Sequence, residues 1–370
     1  MIKYAHKEYN ITFVTSITKQ SSMTITKSTI AQFITISAVS CIITYLVSVH
    51  NFKASSATTN KLALENKNME SSGGVYQIKR IQGFKYIQPL QYAEPENESS
   101  RYGVLKNEIL QSIESYKNTG GLISASVYLR DFNKAEWMDA YQNDKFHPGS
   151  LMKMAVLITL LKTEEKHPGF IERKLILKSK RKDLPIQTFN SKQIVIGKAY
   201  SIKELLSYMM CYSDNYATDL LHTVVDMDEY KRTYDYIGIT YPNEANKNYQ
   251  ITAREYSSFM KVLYNASYLN SDHSEYAVEL LTKCDFLLGF SAGFPVGTPI
   301  AHKFGEWGHG DESHELHEAG FIYLNNTAYL LVVMTKGKDL KKLPEIIAAL
   351  AKIVYANIED SSIPSSNSPS

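Results

Sequence analysis

Residues 148–153 read PGSLMK, and these six residues give the strongest indication of the fold. Proline and glycine ahead of Ser150 predict that this serine lies at or just before a helix N-terminus, where free backbone N–H groups and the helix dipole favour negative charge. The apolar residues 151–161 form the predicted helix, and Lys153 lies one turn along from Ser150 on the same face. A serine becomes a nucleophile when a base takes its proton, and a buried lysine with a lowered pKa is one such base.

Two further polar motifs follow this one in the chain. Ser213-Asp214-Asn215 separates two predicted helices, residues 202–211 and 217–225, and a loop between helices can direct a hydroxyl and an amide at a neighbouring site. Lys303-Phe304-Gly305 lies at the end of a predicted strand. Each tripeptide alone is typical of a solvent-exposed turn, so the information lies in their order after Ser150 and Lys153.

Strand patterns flank a helix-rich middle region. Residues 122–129 enter after two glycines and predict a strand, and residues 136–141 predict its hairpin partner. Three more strands are predicted near the end of the chain, at residues 299–304, 319–324 and 328–335.

Helix signals fill the middle and the end of the chain. Two capping boxes, Ser201 with Glu204 and Thr252 with Glu255, mark helix starts. The closing helix has an apolar stripe at helical spacing, made of Leu343, Ile346, Ile347, Leu350, Ile353 and Val354. The order predicts an α/β (α+β) fold, with an antiparallel sheet built from both chain ends, flanking helices and an all-helical lobe.

The N-terminal part of the chain has a different character from the predicted domain, residues 78–358. After an N-terminal segment, residues 1–29, the 20 residues 30–49 carry no charge and are long enough for a helix that crosses a bilayer. We interpret them as a membrane anchor, with a signal segment cleaved near Ala57 as the alternative. Residues 50–77 are predicted to form a flexible spacer, and residues 359–370 a disordered tail.

Composition excludes several classes of protein. Lys+Arg 40 against Asp+Glu 38 gives a net charge of +2, which offers no basic face for a nucleic-acid partner. Three cysteines are too few for a disulfide scaffold or a Cys-rich zinc module. Cys211 and Cys284 are interpreted as buried thiols, with a disulfide between them left open.

A group of histidines is a candidate metal site. His302, His309, His314 and His317 lie near Asp311, Glu312 and Glu315, but their spacing is not that of a zinc-protease helix. We predict a polar loop at the rim of the site and no metal.

The three motifs, in this order, resemble the signature of the penicillin-recognising serine hydrolases, in particular the class A β-lactamases and their relatives. That signature reads S-x-x-K, then S-D-N, then K-T-G, and residues 303–305 of this chain read K-F-G. The strand pair before Ser150, the helix start at Thr252 and the closing strands and helix agree with it, so the resemblance covers residues 84–358. It implies a β-lactamase/transpeptidase-like fold and a reaction without a cofactor.

The resemblance implies a role for each catalytic position. Ser150 would be the acylated nucleophile, Lys153 its base, and Ser213 a proton relay to the leaving nitrogen. The backbone N–H groups of Ser150 and Glu306 would form the oxyanion hole, which stabilises charge on the attacked carbonyl.

Substrate binding is implied for Asn215, Lys303 and Gly305. Asn215 would hold a side-chain amide of the substrate, and Lys303 would pair with its carboxylate. Phe304 stands where the family has a threonine that helps to bind this carboxylate, so we expect weaker or differently arranged carboxylate recognition.

A second departure concerns deacylation. Class A β-lactamases carry a glutamate after the S-D-N motif that activates water, and residues 236–241 of this chain read YIGITY, without a carboxylate. Glu244 is the nearest candidate, but it lies only eight residues before Thr252. We therefore expect the acyl-enzyme to persist.

The resulting hypothesis is a monomeric serine hydrolase that acts on β-lactams or D-alanyl cell-wall peptides. Its anchor would place it in a bacterial cell membrane as a single-pass protein with the catalytic domain outside the cytoplasm, or secreted if the signal is cleaved. The alternative is a tethered, non-catalytic receptor that binds such ligands.

Overall fold

A five-stranded antiparallel sheet joins the early and late parts of the chain in the computed structural model. Its strand order is β4-β3-β9-β8-β7. The strands are β3 (Ser124–Asp131), β4 (Trp137–Ala140), β7 (Ile300–Trp307), β8 (His314–Leu324) and β9 (Thr327–Gly337). The structure describes residues 76–80, 90–181, 184–185, 187–189, 191–242, 248–308 and 313–360.

Two small antiparallel pairs lie outside this sheet. One joins β1 (Tyr76–Arg80) to β2 (Leu90–Pro95), and the other joins β5 (Lys174–Ile176) to β6 (Ala199–Ser201). The first pair begins at Tyr76, which is paired with Pro95. The last two residues of the predicted spacer, residues 50–77, therefore belong to β1. That boundary prediction was therefore two residues late.

Helices account for more than half of the described residues outside the strands. Both predicted capping boxes are present, since Ser201 and Thr252 accept hydrogen bonds from the backbone N–H groups of Glu204 and Glu255. The helices are α1 (Gly103–Asn118), α2 (Lys153–Lys166), α3 (Ile202–Cys211), α4 (Asn215–His222), α5 (Met227–Ile237), α6 (Ala253–Tyr264), α7 (Ser271–Leu281), α8 (Phe290–Gly293) and α9 (Leu343–Asp360).

The sheet separates two hydrophobic cores. On one face, α1 and α9 pack against side chains such as Val127 and Val333. On the other face lies the helical lobe, with α2 at its centre. Nine consecutive residues of α2, from Lys153 to Leu161, are buried, which is the pattern of a helix enclosed on all sides.

These observations confirm the predicted α/β (α+β) fold, with a sheet from both chain ends and a helical lobe. The closing helix extends to Asp360, beyond the predicted start of the tail, and Ile358 is still buried against the core. The predicted anchor, residues 30–49, lies outside the described residues. None of the described helices is long and apolar enough to cross a bilayer.

Candidate active site

Ser150 lies in a single turn of 3-10 helix, Gly149–Met152, and α2 begins at Lys153. The predicted helix start at residue 151 was therefore two residues early. Ser150 is half-buried and lines a cavity of about 550 Å³ between this turn, α4 and β7.

The turn that carries Ser150 lies directly against β7, and two glycines make this contact possible. Gly149 has φ +53°, and a methyl group in place of its hydrogen would lie 2.4 Å from the Glu306 carbonyl oxygen. A methyl group on Gly305 would lie 2.6 Å from the Leu151 nitrogen. Only a residue without a side chain fits at each of these two positions. The contact brings the backbone next to Ser150 beside that of Glu306, while the oxyanion hole predicted from these two residues stays a prediction.

Lys153 joins the first two motifs. Its Nζ donates to the Ser213 carbonyl oxygen at 2.5 Å, to Ser213 Oγ at 3.1 Å and to Asn215 Oδ1 at 2.8 Å. Burial lowers the pKa of Lys153 well below its ordinary value, and the nearby positive charge of Lys303 lowers it further. A lysine with a lowered pKa gains neutral fraction near pH 7, which is the form that accepts a proton.

The S-D-N loop is fixed by hydrogen bonds at each of its three residues. Ser213 adopts φ +55°, an uncommon backbone conformation for a serine, and it does so where both of its oxygens accept from Lys153. Asp214 caps α4 by accepting from the Tyr216 N–H at 2.9 Å and also accepts from the Ile194 N–H at 2.8 Å. Asn215 is the first residue of α4 and lines the cavity.

The K-F-G motif lies inside β7 rather than at its end, which corrects the sequence prediction. Lys303 is fully buried, and its Nζ donates to the Phe304 carbonyl oxygen at 2.6 Å. Burial lowers the pKa of Lys303 to about 8. Its charge acts on Lys153 and on Glu306, two residues that line the cavity.

Phe304 is not part of the cavity wall. Phe304 enters the core under α1 and α9, on one face of the strand. The Lys303 Nζ lies 4.2 Å from the centroid of the Phe304 ring. The Phe304 ring stacks on Phe286 with 4.6 Å between ring centroids. The sequence shows that the threonine hydroxyl of the family motif is missing here. It does not show that the Phe304 ring packs in the core instead.

Gln187 is a residue that the sequence analysis missed. Its Nε2 donates to Ser150 Oγ and to Ser213 Oγ, both at 3.1 Å. The next residue, Thr188, donates its backbone N–H to the Glu306 carboxylate at 2.9 Å, which fastens this segment to β7. Neither hydrophobic periodicity nor a motif distinguishes this segment in the sequence, because its position depends on these long-range contacts.

The described residues supply few carboxylates to the cavity. Within them, Asp219 and Glu306 are the acidic residues of the cavity wall. Asp219 is paired with Arg181 at 2.8 Å, and Glu306 accepts from Thr188. Of the described residues between α4 and α6, only Tyr230 reaches the cavity. Glu244 lies outside the described residues.

The histidine group is divided between different surroundings. His314 and His317 belong to β8 and not to a loop, which corrects the prediction, while His309, Asp311 and Glu312 lie outside the described residues. His317 donates from Nε2 to the His147 carbonyl oxygen and accepts at Nδ1 from the Thr335 N–H. Both of its ring nitrogens are therefore engaged within the fold.

His302 is also engaged, on the buried side of β7. Its Nδ1 lies 2.6 Å from Glu318 Oε1. Cys284 lies next to this pair, and like Cys211 it is a buried, free thiol, so the two cysteines are not joined by a disulfide. In the described part of the chain, no group of three or more His, Cys, Asp or Glu side chains is arranged to hold a metal.

Comparisons with known proteins agree on one family. A model of the beta-lactamase enzyme family matches residues 105–358, and a comparison with curated proteins gave no match. Among solved structures, PBP-A is 19% identical, with a TM-score of 0.58 over 72% of this chain and 98% of that one. A class A beta-lactamase from Mycobacterium abscessus is 18% identical, with a TM-score of 0.57 over 69% and 99%.

One further structure includes a ligand. It is a mutant of PBP-A, described as an acyl-enzyme complex with penicillin-G, and it is 19% identical with a TM-score of 0.56 over 70% of this chain and 97% of that one. At these identities the solved structures establish the fold.

Proposed function

Because this chain belongs to the beta-lactamase enzyme family, we propose that it is a serine hydrolase that forms an acyl-enzyme at Ser150 with β-lactams or D-alanyl cell-wall peptides. The observation that carries the proposal is the placement of Lys153. It lines the same cavity as Ser150, is buried, and contacts the S-D-N loop through three hydrogen bonds.

The proposed acylation begins with a proton transfer from Ser150 Oγ to neutral Lys153. Oγ attacks the substrate carbonyl carbon, and the carbonyl electrons move to oxygen, where the N–H groups of Ser150 and Glu306 stabilise the charge. When the carbon–nitrogen bond breaks, the proton returns from Lys153 through the Ser213 hydroxyl to the leaving nitrogen. The acyl group then remains on Ser150 until water releases it.

The proposed substrate class rests on the positive charge of Lys303 and on a structural relative. Lys303, behind the cavity wall, favours a substrate with a carboxylate, which penicillins and D-alanyl peptides share. The PBP-A mutant described as an acyl-enzyme with penicillin-G has the same fold, which supports a β-lactam as the probe of first choice.

Slow deacylation is the second part of the proposal. The carboxylates of the cavity wall in the described residues, Asp219 and Glu306, are engaged by Arg181 and Thr188. Neither is placed as a free base for water. This favours a long-lived acyl-enzyme, and it equally supports the second candidate function, a receptor that retains the ligand and reports its presence.

A labelling and turnover experiment tests the proposal. The full chain is incubated with a fluorescent penicillin and, separately, with a chromogenic cephalosporin, and the labelled peptide is identified by mass spectrometry. We expect a stable adduct on the peptide that contains Ser150 and little turnover of the cephalosporin. Absence of both label and turnover would refute the proposal, and rapid turnover would refute slow deacylation.

The acylation rate should depend on pH in a way set by two lysines. It should rise with pH as Lys153 loses its proton, and it should fall above about pH 8, where Lys303 becomes neutral and no longer attracts the substrate carboxylate. The measurement is the second-order acylation rate from pH 5 to 10.

A substrate without a carboxylate provides the control for this pH dependence. The rate with a cephalosporin ester should keep the rise and lose the fall above about pH 8. An equally steep alkaline fall with the ester would show that Lys303 does not act through the carboxylate.

A further inference from the structure

A second cavity, of about 360 Å³, has none of its described lining residues in common with the cavity at Ser150. Its walls come from β2, from β4 with the loop that follows it, and from the first turns of α6. The volume lies within the range of small-molecule sites, about 300 to 1,000 Å³. The β2 wall precedes residue 105, where the family match begins, so the family match does not account for it.

Asp139 of β4 lines this cavity with an unsatisfied carboxylate. The residue is only 1% exposed, and within the described part of the chain neither of its carboxylate oxygens has a hydrogen-bond partner. A buried carboxylate without donors is costly, so a native structure normally supplies them from protein, water or a ligand. Burial, the largest cause, raises the pKa of Asp139 to about 7.

Positive charge lies on another wall of the same cavity. Arg254 and Lys261 of α6 both line it, and Lys261 is buried. Their shared partner, Glu94, lies 3.5 Å from Arg254 Nη2 and 3.4 Å from Lys261 Nζ. Glu94 is bound more closely by Arg130, at 2.5 Å, and Glu255, a carboxylate on the α6 wall, accepts from the Thr252 N–H at 2.8 Å. These two carboxylates therefore compensate the α6 cations only in part.

The Arg254 guanidinium is also positioned by an aromatic ring. Its Cζ lies 3.9 Å from the centroid of the Trp137 ring. Stacking of this kind leaves the edge of the guanidinium available for a planar acceptor such as a carboxylate.

We propose that this cavity binds a free α-amino acid, with its ammonium group on Asp139 and its carboxylate on Arg254 and Lys261. An ammonium compound without a carboxylate would place a third positive charge near the two α6 cations. A carboxylate without an ammonium would leave Asp139 unsatisfied and close to a like charge. A zwitterion brings an ammonium group to Asp139 and a carboxylate to Arg254 and Lys261.

Calorimetric titration of the full chain tests this proposal with probes that share a carbon skeleton. L-alanine and D-alanine carry both charges, alaninamide lacks the carboxylate, and propionate lacks the ammonium. We expect saturable 1:1 binding of at least one alanine enantiomer. Alaninamide and propionate should each bind at least about tenfold more weakly, the loss expected when a hydrogen-bonded charge is removed. Alaninamide binding as tightly as alanine, or no saturable binding by either enantiomer, would overturn the proposal.

A pair of matched variants locates the binding site. Asp139→Asn keeps the shape of the side chain and removes its charge, so it should fold and bind alanine at least about tenfold more weakly. Asp235→Asn changes an exposed aspartate of α5 outside this cavity and should bind like the parent. Equal binding by Asp139→Asn and the parent would place the ligand elsewhere, including the cavity at Ser150, and would contradict the proposal.

Discussion

Replacement of Ser150 by alanine should give a folded protein that forms no covalent adduct with a penicillin. The substitution removes the only atom of residue 150 that can form the acyl bond, Oγ. Loss of the nucleophile lowers the rate by about 10⁶-fold in a serine protease, and a loss of that order would put labelling below detection. The measurement is the labelled fraction after incubation with a fluorescent penicillin, read beside the intact mass.

The stability of the variant should change little. Ser150 is half-buried, and the hydrogen bond that its Oγ loses comes from Gln187, whose amide also donates to Ser213. We expect the free energy of unfolding to stay within about 1 kcal/mol of the parent. Loss of label in a folded variant would therefore report on chemistry.

A serine on the surface provides the control. Ser115 is exposed on α1, so Ser115→Ala should be labelled at the parental rate. Adduct formation by Ser150→Ala at that same rate would show that another residue is acylated, and the proposed nucleophile would be wrong.

Much of the fold was predictable because its signals are local. Ser201 and Thr252 stand three residues before glutamates, and the capping boxes they predict depend on a few adjacent residues. The stripe of the closing helix likewise reflects one periodic face against the sheet. The order of the three motifs then restricted how these elements could be connected.

What the sequence did not reveal depends on contacts between distant segments. The hydrogen bond between Thr188 and Glu306 holds Gln187 beside Ser150. Thr188 and Glu306 are more than a hundred residues apart, so no local sequence pattern encodes their contact. The role of Phe304 could not be predicted because it depends on which face of β7 the side chain occupies. That face is the one that packs in the hydrophobic core. Asp139 belongs to a correctly predicted strand, but its unpaired carboxylate becomes apparent only when its surroundings are known.

Replacement of Gly305 by alanine should have the second large effect, on the oxyanion hole and on stability together. The added methyl group would lie 2.6 Å from the Leu151 nitrogen and 2.8 Å from the Pro148 carbonyl oxygen, and backbone atoms cannot swing aside as a flexible side chain can. The strand and the Ser150 turn must therefore separate. Overpacking of this kind costs about 1–3 kcal/mol of unfolding free energy, measured by urea denaturation.

The same separation should slow acylation. Glu306 follows Gly305 directly, so its N–H moves away from the Ser150 turn when the strand moves. Loss of one oxyanion donor costs about 10²- to 10³-fold in rate, and we expect a comparable fall in the second-order rate of penicillin acylation. The rate is measured well below the unfolding transition, so that the folded population is the same as in the parent.

Gly103 provides the matched control for this substitution. It is the first residue of α1, its φ is −59°, and a methyl group there would meet no heavy atom of the described residues within 4 Å beyond its chain neighbours and its own helix backbone. Gly103→Ala should therefore change the free energy of unfolding by no more than about 0.5 kcal/mol and leave acylation at the parental rate. If Gly305→Ala lost stability but its folded fraction acylated at the parental rate, the close contact between β7 and the Ser150 turn would serve packing alone. The stabilising donors for the attacked carbonyl would then have to lie elsewhere in the cavity.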